Sequence, residues 1–147
     1  MKRQSFVMAS LLVLSSMATT QVARAQEAMA VNIPFAFVEG NATLPAGEYR
    51  VQKLERNSVV LLIHCSNPRA SAMVITNAAQ AKKLQIESKL VFNRYGKRYF
   101  LSQIWTAGSI RGRQLLKSPR EKEMAQVARI ETKGEITLVA RLSPARP

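Results

Sequence analysis

Alternation of apolar and polar positions runs through the middle of the chain. In residues 48–54 (EYRVQKL), Tyr49, Val51 and the stem of Lys53 fall on one side, with Glu48, Arg50 and Gln52 on the other; this is the pattern of a half-buried strand. Residues 31–38 (VNIPFAFV) are β-branched and aromatic and stop at Glu39-Gly40-Asn41, a turn signal. Pro34 cannot donate to a ladder, which predicts an edge or bulged strand there. Residues 58–65 (SVVLLIHC) form an unbroken apolar run, expected of a central strand covered on both faces. After the break at Ser66-Asn67-Pro68, residues 70–76 (ASAMVIT) predict a fourth strand. Residues 77–87 lack a consistent apolar face and read as a loop with about one helical turn.

Residues 90–95 (LVFNRY) and 99–105 (YFLSQIW) are the most aromatic part of the chain, and Gly96-Lys97 between them suits a type II′ hairpin. That turn sets Phe92 opposite Leu101, Arg94 opposite Tyr99 and Tyr95 opposite Arg98. A two-glycine loop over 106–112 follows. Ser118-Pro119-Arg120-Glu121 then predicts a helix start, with Ser as cap, Pro in the first turn and Glu121 reaching back to complete a capping box. Met124, Val127 and Ala128 give this helix one narrow apolar stripe, running to Arg129. Lys133-Gly134 breaks the chain, and residues 135–142 (EITLVARL) predict a closing strand. Strands about ten residues apart with punctuated turns predict a mainly antiparallel β-sandwich or barrel of about seven strands, with one short helix in the C-terminal half.

The first 25 residues read differently. Lys2 and Arg3 precede an apolar run over 6–18, and Ala23-Arg24-Ala25 fits the small-x-small rule for signal peptidase. The run is about 13 residues long, whereas a spanning helix needs roughly 20. The expectation is a signal peptide over 1–25, cleavage after Ala25, and a single β-rich domain over 26–147 that is periplasmic or extracellular.

Composition narrows the chemistry. The chain has 147 residues, with 22 Lys and Arg against 9 acids, a net charge of +13; every acid is Glu, and there is one His and one Cys. A Ser-His-Asp triad lacks its Asp, a zinc site has only His64 and Cys65 to draw on, and no disulfide can form within the chain. Neighbours in a strand face opposite ways, so His64 and Cys65 do not meet. Cys65 reads as a small apolar side chain. Glu121 and Glu123 diverge on the helix, which suits capping and solvation. No cofactor and no metal is expected.

The charge is uneven. Residues 26–81 carry four basic and four acidic side chains, whereas residues 82–147 carry fifteen and five. Arg94, Lys97 and Arg98 cluster at the hairpin beside Tyr95 and Tyr99. Arg111, Arg113 and Lys117 follow, with Arg120 and Lys122 beyond them. Basic groups among aromatics suit a polyanion, with charge for attraction and rings for stacking. These six residues, Arg94, Lys97, Arg98, Arg111, Arg113 and Lys117, are the candidate anion-binding set. Export counts against nucleic acid as the physiological target, leaving an anionic envelope polymer, lipid headgroups or an acidic protein.

The set VNIPFAFVEGNATLPAGEYRV, LVFNRYGKRYFLSQIW and KSPREKEMA resembles an uncharacterised family of small exported bacterial proteins, over roughly residues 31–125. The resemblance implies export and a β-rich domain; it implies no activity and carries over no catalytic residue. The expectation is a non-enzymatic exported binding or structural module. Its alternatives are a subunit of an envelope assembly pairing through the edge strand 31–38, and an enzyme whose site has no recognisable pattern.

Overall fold

The computed structural model describes residues 27–55, 58–66, 70–128 and 133–144. The leader read over 1–25, the Arg56-Asn57 pair, whose sequence suits a tight turn, and the break at Asn67-Pro68 lie outside them. Among the described residues there are ten strands and one helix. The strands are β1 (Glu27–Ile33), β2 (Phe37–Glu39), β3 (Ala42–Leu44), β4 (Gly47–Lys53), β5 (Val60–Cys65), β6 (Ser71–Gln80), β7 (Ser88–Tyr95), β8 (Arg98–Trp105), β9 (Arg111–Leu115) and β10 (Lys133–Pro144); the helix is α1 (Pro119–Val127).

Eight strands pair antiparallel in the order β8-β7-β10-β1-β4-β5-β6-β9, and β9 returns to β8, closing a barrel. Strands β2 and β3 form a flap outside the ring. β2 joins β8 in parallel at Val38 opposite Phe100, beyond the stretch of β8 that β9 occupies.

Inward positions fill the barrel. Val31, Tyr49, Val51, Leu61, Ile63, Val74, Leu90, Phe92, Leu101 and Leu115 all belong to its buried core, so alternation along each strand divides a packed interior from an outer wall. One end is closed by Phe35, whose ring stacks on Tyr99 at 4.0 Å and meets Phe92 edge-on at 5.2 Å. The Tyr49 hydroxyl donates to the Pro45 carbonyl at 2.6 Å, tying the excursion that carries the flap to β4. Burial, with Cys65 alongside, pushes the Tyr49 phenol up to about 12.

The hairpin has the expected register: Phe92 faces Leu101, Arg94 faces Tyr99 and Tyr95 faces Arg98. Gly96 has φ +61° while no non-glycine among the described residues has positive φ, as a type II′ turn requires. A bulge falls farther along. Val91 faces Gln103, leaving Ser102 as the extra residue, so that Leu101 and Ile104 both reach the core.

Several expectations are corrected. The strand read over 31–38 is two strands separated at Pro34, and neither is an edge: β1 lies between β10 and β4, and β2 between β3 and β8. Strand β5 is covered on one face only, with Leu61 and Ile63 buried while Val60 and Leu62 are half-buried outside. Strand β6 extends to Gln80 because β9, read as part of a loop, pairs with it from Thr76 opposite Leu115 to Gln80 opposite Arg111. Lys133-Gly134 opens β10 rather than breaking the chain. The mainly antiparallel β-barrel with one helix is as expected, and among the described residues it has eight barrel strands and two more in the flap, against about seven expected.

Candidate anion-binding site

The hairpin β7–β8 projects one face into the barrel and the other under α1. Ser118 starts the helix, its Oγ accepting from Glu121 N at 3.1 Å, with Pro119 in the first turn. Met124, Ala125 and Ala128 pack on Val38, Tyr95 and Phe100, a second apolar cluster outside the barrel. Val127, expected in the stripe, is 67% exposed.

Between the hairpin turn and the end of the helix lies a cleft of about 220 Å³, lined by Tyr95, Gly96, Lys97, Arg98, Met124, Val127 and Ala128. One wall brings two cations, Lys97 and Arg98, both exposed. The other is aliphatic, from the helix. Arg94 stands beside the turn, its Nε donating to the Gly96 carbonyl at 2.9 Å. A small concave site with charge on one side and apolar surface on the other suits an anionic group attached to a short apolar moiety.

Beneath the helix lies a polar cluster that sequence reasoning missed. The Glu121 side chain is 4% exposed and does not fold back on its own cap. Its Oε1 accepts from Asn93 Nδ2 at 2.9 Å and from the Tyr95 hydroxyl at 3.3 Å. Burial, and then the negative charge of Glu121, push the half-buried Glu39 on β2 up to about 8, so at neutral pH Glu39 holds a proton. Burial also raises the Tyr95 phenol, with Glu121 adding to it. A buried carboxyl that accepts from two side-chain donors of β7 ties the helix to that strand, and the two bonds offset part of the cost of burying it. The signal for this lay in the helix itself: Glu121 continues the stripe through Met124, Ala125 and Ala128 at i, i+3, i+4 and i+7.

No family model, no curated protein and no solved structure matches the chain.

The geometry divides the six candidate residues. Lys97 and Arg98 line the cleft, Arg94 stands beside the turn, and Lys117 is exposed just before α1. Arg111 and Arg113 do not line the cleft. Arg113 lies opposite Ile104, six residues along β8 from Arg98, roughly 20 Å at strand rise. Its guanidinium donates to the Ser58 carbonyl at 3.5 Å, and it shares a strand face with buried Leu115, so it packs at the barrel's far end. His64 and Cys65 face opposite ways, as expected: His64 lies across from Arg50 on the outer wall, while Cys65 borders the core. Among the described residues, no three His, Cys or Glu side chains gather as a metal site would require.

Proposed function

We propose that the protein is an exported, non-enzymatic binding module that holds an anionic partner of the cell envelope at the basic cleft. The observation that carries this reading is the pairing of Lys97 and Arg98 on one wall with Met124, Val127 and Ala128 on the other. The candidate partners are an anionic envelope polymer, lipid headgroups or an acidic protein. The charged start, short apolar run and Ala-x-Ala over 1–25 support export.

The test compares two charge-matched pairs. Lys97→Glu with Arg98→Glu changes the cleft, whereas Arg50→Glu with Arg141→Glu changes the outer wall by the same amount. The cleft pair should abolish most binding to an acidic polymer at low salt and the wall pair should weaken it slightly, because surface charges act locally over a Debye length of about 8 Å at physiological ionic strength. Equal losses would mean that net charge alone is sensed and that the cleft is not a site.

A further inference from the structure

We propose that the barrel end opposite the cleft is a membrane-docking rim, built from residues 81–87 and 106–110, that seats on an anionic lipid bilayer. Strand β7 starts and β8 finishes at this end, so the rim lies a full strand length from the hairpin turn. The two segments hold each other. Ala81 N donates to the Ile110 carbonyl at 2.8 Å and Gln85 N to the Ser109 carbonyl at 3.1 Å, and Gly108 N donates back to the Gln85 carbonyl at 2.8 Å. Gly108 makes the return possible with φ +73°, which L side chains rarely adopt.

This frame presents apolar side chains to solvent. Ile86 is 92% exposed, Leu84 61% and Ile110 39%. Gln85 is fixed by backbone bonds on both its N–H and its carbonyl, so its neighbours Leu84 and Ile86 are displayed from an ordered segment. A folded chain gains nothing from such exposure in water, and apolar side chains displayed on an ordered frame suit an interaction surface. Lys82, Lys83 and Arg111 neighbour them along the chain and are also exposed, against one exposed acid, Glu87. Exposed aliphatics with cations beside them in the chain suit an interfacial membrane contact: the apolar side chains enter the acyl boundary, while the long basic ones keep their charges at the phosphates. The net positive charge selects anionic headgroups as the complementary surface. This site is independent of the cleft and does not require it.

Co-sedimentation of the purified protein with vesicles of phosphatidylcholine, alone or mixed with phosphatidylglycerol, tests the proposal. Binding should be strong only on the mixed vesicles and should weaken with salt. Leu84→Ser with Ile86→Ser should lower the partition coefficient at least about tenfold, given the transfer free energy of two aliphatic side chains. Lys82→Glu with Lys83→Glu should lower it by a similar factor on mixed vesicles and hardly change the weak binding to phosphatidylcholine. These positions are exposed, so unchanged melting curves should show that the variants fold. Three results would overturn the proposal: no binding of the unaltered protein to mixed vesicles at low salt; unchanged binding by either rim pair; or an equal loss from Lys97→Glu with Arg98→Glu, which would move the contact to the cleft.

Discussion

Gly112 on β9 lies directly beneath the indole of Trp105 on β8: the two residues are cross-strand partners, and a β-carbon added to Gly112 would come within 2.7 Å of Trp105 Cδ2. The ring covers the backbone that glycine leaves bare and holds β9 to the strand that closes the barrel. Gly112→Ala should therefore displace the ring or the strand and cost about 1–3 kcal/mol in denaturant melts. Trp105 is the chain's single tryptophan. Its emission should shift to the red in the variant, and unchanged stability and emission together would refute the packing described.

Removing the anchor under the helix should cost more than removing one of its donors. Glu121→Ala leaves Asn93 without its acceptor under α1, worth about 1–3 kcal/mol. Tyr95→Phe deletes only the longer bond and should cost about 0.5–1.5 kcal/mol. The double variant should lose less than the sum, because the Tyr95 hydroxyl has no acceptor left to lose. Simple additivity in a double-mutant cycle would show that the two groups do not interact.

Glu39 makes stability fall with rising pH. Its folded pKa lies above the unfolded value, at about 8 against 4.5. The unfolded chain therefore releases this proton first, and the contribution is complete below pH 4.5 and lost as pH rises to about 8. Glu39→Gln removes the ionisation. Melting temperatures of the variant relative to the parent should rise steadily between pH 5 and 8; a constant difference over that range would show that Glu39 does not titrate as described.

Phe100 separates a packing role from a binding role for the aromatic hairpin. It is 2% exposed and meets Tyr95 edge-on at 5.7 Å, beneath Ala128. Phe100→Ala should cost about 3–5 kcal/mol. A loss under about 1 kcal/mol would mark the ring as available to a ligand instead.

The hairpin was the most legible part of the fold, because Gly96 fixes the turn and every inward residue on either side is large and apolar. The helix start was equally plain from Ser118-Pro119. Strand β9 was not, since RGRQL has one apolar residue, Leu115, and owes its strand state to two neighbours that sequence order does not reveal. The same partner draws the weak strand formers Asn77-Ala78-Ala79-Gln80 into β6. Charge counting brought six basic residues together and the topology separated them, placing Arg113 a strand length from Arg98. Glu121 was misread because an acid three residues after a Ser cap has a sufficient local role, and nothing local shows that β7 supplies it with two donors.

The pairing of β1 with β10 joins residue 27 to residue 144, nearly the whole described chain apart, and β10 in turn is the neighbour of β7. Of the ten described strands, β10 is synthesised after the other nine. Until then β1 and β7 each keep one row of backbone donors and acceptors unmatched, and the barrel has a missing stave rather than a weak one. The barrel thus closes only once β10 is in place. A chain without β10 stays open along two edges, exposed to pairing with its neighbours until that strand is inserted.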